Sequence, residues 1–152
     1  MKMINVTTVL AVCFGSFVGV ASMAHAVQPI IIDIEVHNDL ADTLQLTSAS
    51  WSLGDSSPSD FAIMGNALAS MGLPSANERK GQVAFSYSTP NGKSCLFSTG
   101  HDIKQSFGWF KPIETPIQWA KGKSQGAFLA ACSGTVLSNV PGKGYKVKFV
   151  ME

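Results

Sequence analysis

Residues 82–99 read QVAFSYSTPNGKSCLFST, and this stretch decides the fold. Val83, Phe85 and Tyr87 take every second position before its midpoint, and Cys95 and Phe97 do so after it. Side chains of an extended strand point alternately to its two faces, so each run presents one apolar face. Between the runs lies Thr89-Pro90-Asn91-Gly92, a strong turn signal because Asn-Gly tolerates positive φ. The stretch predicts an antiparallel β-hairpin.

The same period recurs on both sides. Residues 30–37 (IIIDIEVH) place Ile30, Ile32, Ile34 and Val36 on one face and Asp33, Glu35 and His37 on the other, a half-buried strand that ends where Asn38-Asp39 begins a turn. Residues 145–151 (YKVKFVM) alternate with Tyr145, Val147, Phe149 and Met151 inward, a final strand expected to close a sheet. Residues 43–53 (TLQLTSASWSL) carry Leu44 and Leu46 in one phase and Ala49, Trp51 and Leu53 in the other, which predicts a bulge near Thr47-Ser48. Residues 127–132 (AFLAAC) are small and apolar, the pattern of a central strand buried on both faces. Residues 54–60, 74–81, 121–126 and 133–144 are loops by composition. In residues 61–73 the spacing of Phe61, Met64, Leu68 and Met71 suits a helix, whereas Gly65-Asn66 suits a turn between strands; the strand reading is preferred. Residues 100–118 read as a long aromatic-rich link. Short strands with a turn about every 8–12 residues indicate an all-β fold, a single-domain antiparallel β-sandwich.

Residues 1–26 have the form of an export signal. Lys2 precedes an apolar run over residues 4–20, and Ala24-His25-Ala26 sets small residues at a cleavage site. The run is too short and too diluted by Asn5, Thr7, Thr8 and Ser16 for a membrane span, which needs about 20 apolar residues. Leu10-Ala11-Val12-Cys13 is a poor lipobox, since Val12 is bulky. The expected product is Val27–Glu152, one β-sandwich domain without a transmembrane segment, periplasmic or extracellular. It keeps Cys95 and Cys132, and in an oxidising compartment two cysteines most simply form one disulfide. Two separate buried thiols are the other reading. A metal site is not expected, because His37 and His101 have no second ligand at metal spacing.

Charge is divided along the chain. Val27 to Glu78 holds seven acids and no Lys or Arg, whereas the remainder holds ten bases against three acids. Either the halves meet as neighbouring strands or a polar face docks an acidic partner or anionic membrane. Nucleic acid is a poor candidate with a net charge of +1 and no basic cluster denser than Lys143, Lys146 and Lys148.

Catalytic patterns are not found. There is no G-x-S-x-G, no carboxylate pair marked for glycoside hydrolysis and no phosphate-cradling loop, and His101-Asp102 stands alone beside Gly100. The expectation is a non-enzymatic recognition protein needing no cofactor. The candidate contacts are Phe107, Trp109, Phe110 and Trp119 in the aromatic segment, and Trp51. Such rings on a loop can seat a sugar, a lipid headgroup or a partner's apolar anchor; alternatively they plug one end of the sandwich, and Trp51 belongs to the core.

The strand sequence resembles the aegerolysin family. Residues 30–38, Leu44-Gln45-Leu46 and Ala49-Ser50-Trp51 are similar to its opening strands. Residues 81–87 are similar to its glycine-led middle strand. Residues 132–137 and 146–150 are similar to its closing segment. The likeness spans most of the exported chain in patches. It implies a β-sandwich that recognises membrane lipid, with Trp51 and Trp109 as contact residues. Gly108-Trp109-Phe110 is only a partial counterpart of the family's tryptophan- and cysteine-containing motif, and an export signal and disulfide are atypical of it. Two functions are therefore expected: lipid or surface-ligand recognition, or a protein-binding module such as an inhibitor or immunity-type partner of a secreted toxin.

Overall fold

A computed structural model describes residues 29–75, 77–140 and 144–152, so the export signal read in residues 1–26 lies outside the described residues. Among the described residues eight strands follow one another: β1 (Ile30–Asn38), β2 (Gln45–Ala49), β3 (Ala67–Ser75), β4 (Gly81–Ser88), β5 (Ser94–Phe107), β6 (Pro112–Ser124), β7 (Cys132–Val140) and β8 (Gly144–Met151). They form two four-stranded sheets, ordered β3-β1-β8-β7 and β2-β4-β5-β6. Pairing within the sheets is antiparallel except between β1 and β8, which run parallel from Ile31↔Gly144 to Asn38↔Met151.

The sheets stack face to face and bury the predicted apolar faces. Ile32, Ile34, Val36, Val147, Phe149 and Met151 from one sheet meet Leu46, Phe85, Tyr87 and Phe97 from the other, all of them buried. Phe149 crosses the interface and packs edge-on to Phe85 at 5.4 Å between ring centroids and against Phe97 at 4.9 Å. Edge and offset contacts of this kind add to the burial of the rings themselves.

One disulfide joins Cys95 on β5 to Cys132 on β7, with Cα atoms 5.8 Å apart. The bond therefore crosses from sheet to sheet. Beside it the backbones of β6 and β7 approach closely. A Cβ on Gly122 would stand 2.6 Å from the Cys132 carbonyl carbon, and one on Gly134 would stand 2.7 Å from the Lys121 nitrogen. Only glycine leaves room for two backbones at that distance.

The hairpin of residues 82–99 forms with Phe85 opposite Phe97, but its turn is broader than Asn-Gly suggests. Thr89 N–H donates to the Lys93 carbonyl, and only Gly92 takes positive φ (88°). A register shift between Leu46 and Ser48 gives the predicted bulge. Residues 61–73 take the strand reading: Ile63 bridges Leu44, Asn66 turns with φ 55°, and β3 follows. Buried Asn38 secures this corner, its side-chain amide donating to the carbonyls of Asp42, Ile63 and Met64.

Five expectations are corrected. Residues 121–124 are not loop but the end of β6, paired with residues 95–98 of β5. Residues 127–131 are not a buried strand, since Phe128 and Leu129 are exposed and β7 starts only at Cys132. Residues 133–140 are not loop: this polar, small-residue stretch is an edge strand paired to β8. β8 does not close its sheet but lies between β1 and β7. Residues 100–118 are not a link but most of a long hairpin.

Candidate functional site: an aromatic-tipped hairpin arm

β5 and β6 pair continuously from Cys95↔Ser124 to Phe107↔Pro112. The facing sheet ends well before the hairpin does. On β5 the buried inward series Cys95, Phe97, Thr99, His101 stops at His101, and Asp102, Lys104, Gln105, Ser106 and Phe107 are exposed. Residues 102–117 therefore form an arm with water on both sides.

The arm turns at Gly108-Trp109-Phe110-Lys111, where Gly108 N–H donates to the Lys111 carbonyl at 3.1 Å. Here Phe107, Trp109 and Phe110 are 94%, 98% and 98% exposed. Paired residues share a face, so Ile113, Ile117 and Trp119 form one apolar stripe along the outer face of β6. The Trp119 ring packs against Gly100, where a Cβ would come within 2.6 Å of it, and the Lys121 ammonium sits 5.4 Å from the Trp119 ring centre. Pro112 and Pro116 are accommodated because β6 is an edge strand, where a missing N–H leaves no ladder bond broken.

The preceding turn grips the arm's root. Asn77 Oδ1 accepts from the backbone N–H groups of Arg79 and Lys80 and fixes their orientation. Arg79 then binds Glu114 at 2.6 Å, while Lys80 reaches Asp102 at 3.7 Å. Asp102 and Glu114 belong to opposite faces of the hairpin, so consecutive basic residues straddle it. The Arg79 guanidinium, helped by the Gln105 amide, holds the Glu114 carboxyl below its ordinary range.

A cleft of about 310 Å³ opens at the root, lined among others by Ile30, Arg79, His101, Glu114, Gln118 and Tyr145. Buried His101 has Nε2 2.8 Å from the Asn77 carbonyl oxygen. A carbonyl only accepts, so Nε2 donates to it, while among the described residues Nδ1 is buried with no hydrogen-bond partner. Asp102 does not touch this imidazole. It faces the other side of β5 and accepts from the Ile103 N–H, so His101-Asp102 is not a hydrogen-bonded acid–base unit. Among the described residues no group of three His, Cys, Asp or Glu is placed to hold a metal ion, and no helix is long and apolar enough to cross a membrane.

The structure thus brings Phe107, Trp109 and Phe110 together at the tip and places Trp119 at the root of the same arm. Trp51 is elsewhere, half-buried after β2 with its ring edge-on to Phe85 at 5.6 Å. Ile113, Ile117, Lys104 and Lys111 were missed as members of the site. The signal for the two isoleucines was present in the period-two run Ile113, Thr115, Ile117, Trp119, and the prolines within it masked it.

No protein-family model matches the chain, and no curated protein matches it.

Proposed function

We propose that this is an exported, non-enzymatic recognition protein that docks on membrane lipid through the tip of its β5–β6 arm, in the manner of aegerolysin-like β-sandwiches. One observation carries the reading: three aromatic rings within four residues, each more than nine-tenths exposed, at the end of a projecting hairpin. Such a cluster has no role in this chain's own core, and exposed apolar groups gathered in one place mark an interaction site. Withdrawing one such ring from water contributes about 2–3 kcal/mol, so three rings entering an interface together supply enough to hold a small protein there. The cross-sheet disulfide supports an oxidising address, because such bonds persist outside the reducing cytosol. It also stiffens the base from which the arm projects, reducing the ordering cost of docking.

The test is co-sedimentation of the protein, purified from an exporting host, with phosphatidylcholine, phosphatidylglycerol and sphingomyelin vesicles. Trp109→Ala is expected to weaken binding about 30-fold or more, the loss corresponding to one ring at 1.4 kcal/mol per tenfold. Leu129→Ser is the control. Leu129 is 88% exposed, but it follows β6 at the end of the sandwich away from the tip, and its replacement is expected to change nothing. If no vesicle is bound, the same rings become candidate anchors for a protein partner, and lipid recognition is abandoned.

A further inference from the structure

We infer that the arm selects anionic membrane surfaces, through Lys104 and Lys111 set behind and beside its aromatic tip. The inference rests on the docking role proposed above and adds the chemical class of headgroup.

Four charged side chains lie on the arm: Asp102, Lys104, Lys111 and Glu114. Both acids are neutralised from the root, Glu114 by Arg79 and Asp102 by Lys80. Among the described residues neither Lys104 nor Lys111 makes an ion pair. The arm therefore presents two uncompensated positive charges, although its own sequence is neutral.

Their positions match the depth of a headgroup layer. Lys111 is the fourth residue of the tip turn, next to Phe110. Lys104 precedes Phe107 by three residues on the same strand, which is about 10 Å at the rise of a β-strand. Rings resting at the boundary of the hydrocarbon leave both ammonium groups among the headgroups, since each polar layer is about 5–8 Å thick and a lysine stem can bend toward it. The paired Asp102 lies about 17 Å behind Phe107, beyond the screening length of about 8 Å at physiological salt. The charge a membrane meets is thus positive, even though Val27 to Glu78 holds seven acids and no base.

Each lysine near an anionic surface strengthens binding about fivefold, so the pair contributes about 30-fold. The probes are phosphatidylcholine vesicles with and without phosphatidylglycerol, and free glycerol phosphate as competitor. The expected result is stronger binding to the anionic vesicles that declines with added salt, is not displaced by glycerol phosphate, and falls to the neutral-vesicle level in Lys104→Gln/Lys111→Gln. Glu114→Gln provides a gain: it releases Arg79 and is expected to raise anionic binding by up to about fivefold. Equal binding of wild type to both vesicles overturns the inference and leaves the docking role standing. An anionic preference that survives in the double variant overturns the assignment to these lysines. Displacement by glycerol phosphate points to a soluble anion and overturns it as well. No binding to either vesicle overturns the docking role and this inference together.

Discussion

Replacing both cysteines, as Cys95→Ala/Cys132→Ala, tests what holds the two sheets together at the root of the arm. The bond spans a sequence separation of 37 residues. In the chain-entropy treatment a loop of that length restricts the unfolded chain by about 4 kcal/mol. Cys95 is fully buried, and losing its sulfur from the core adds about 1 kcal/mol. A loss of about 5 kcal/mol stands against a total stability of about 5–15 kcal/mol for a domain of this size. The double variant should therefore lose between about a third and all of its stability at 25 °C. Urea denaturation followed by tryptophan fluorescence measures it. With a slope of about 2 kcal/mol per M, the midpoint should fall by about 2–3 M, and the slope itself should rise because the unfolded chain is no longer cross-linked. In the parent protein, the two thiols should resist alkylation until a reductant is added. A stability loss below about 1.5 kcal/mol, or cysteines that alkylate without reduction, would refute the argument that this cross-link is a principal restraint on the chain.

Three further outcomes follow from the packing and the titrating groups. Gly122→Ala should destabilise by about 2–3 kcal/mol in thermal melts, because its Cβ meets the Cys132 and Ser133 backbone at 2.6–2.7 Å and the seam cannot give way cheaply; an unchanged Tm would show that the sheets separate easily there. The Lys146 ammonium, 2.5 Å away and hydrogen-bonded to it, lowers the Glu35 carboxyl from its ordinary 4.5. A lowered acid adds stability that is present above 4.5 and disappears as pH falls through the native value, so Glu35→Gln should flatten the acid limb of a pH–stability curve, and an identical limb would contradict the pairing. Burial pushes Tyr87 up to about 12, and its hydroxyl donates to the Phe61 carbonyl, while burial also raises Tyr145. These are the protein's two tyrosines, so phenolate absorbance should stay low in the folded protein at pH 10 and rise on unfolding. The unfolded chain then ionises first, and stability should decline above pH 10; a native titration near pH 10 would place the rings in water.

Much of the sandwich was legible in the sequence. β1, β4, β8 and the first half of β5 each bury one face, and a single buried face is what imposes an apolar–polar alternation on the chain. The Thr89–Gly92 turn and the bulge after Leu46 were readable for a similarly local reason, since both depend on a few neighbouring residues. Cysteine pairing was expected from the two cysteines that follow residue 26, and Cys95 and Cys132 do form the bond. Where no burial selects a face, the pattern fades. The arm is wet on both sides, so residues 100–118 looked like a link although every residue from Asp102 to Phe107 has a partner across the hairpin. β7 is an edge strand of Ser, Gly, Thr and Asn, a composition it shares with loops, and its pairing to β8 decides its state. Conversely, the apolar run at residues 127–131 suggested a core strand but stands largely in water.

By itself, then, the sequence determined that the chain is all-β, which faces are apolar and which cysteines can meet, because these depend on local period and composition. Only the tertiary structure decided that the first and last strands pair in parallel, that the disulfide crosses the sheets, and that Phe107, Trp109 and Phe110 stand in water at an arm's tip rather than plugging the sandwich. The physical reason is reach. Sheet order and exposure depend on where distant segments stop, and the arm exists because β5 and β6 continue after the opposing sheet has ended.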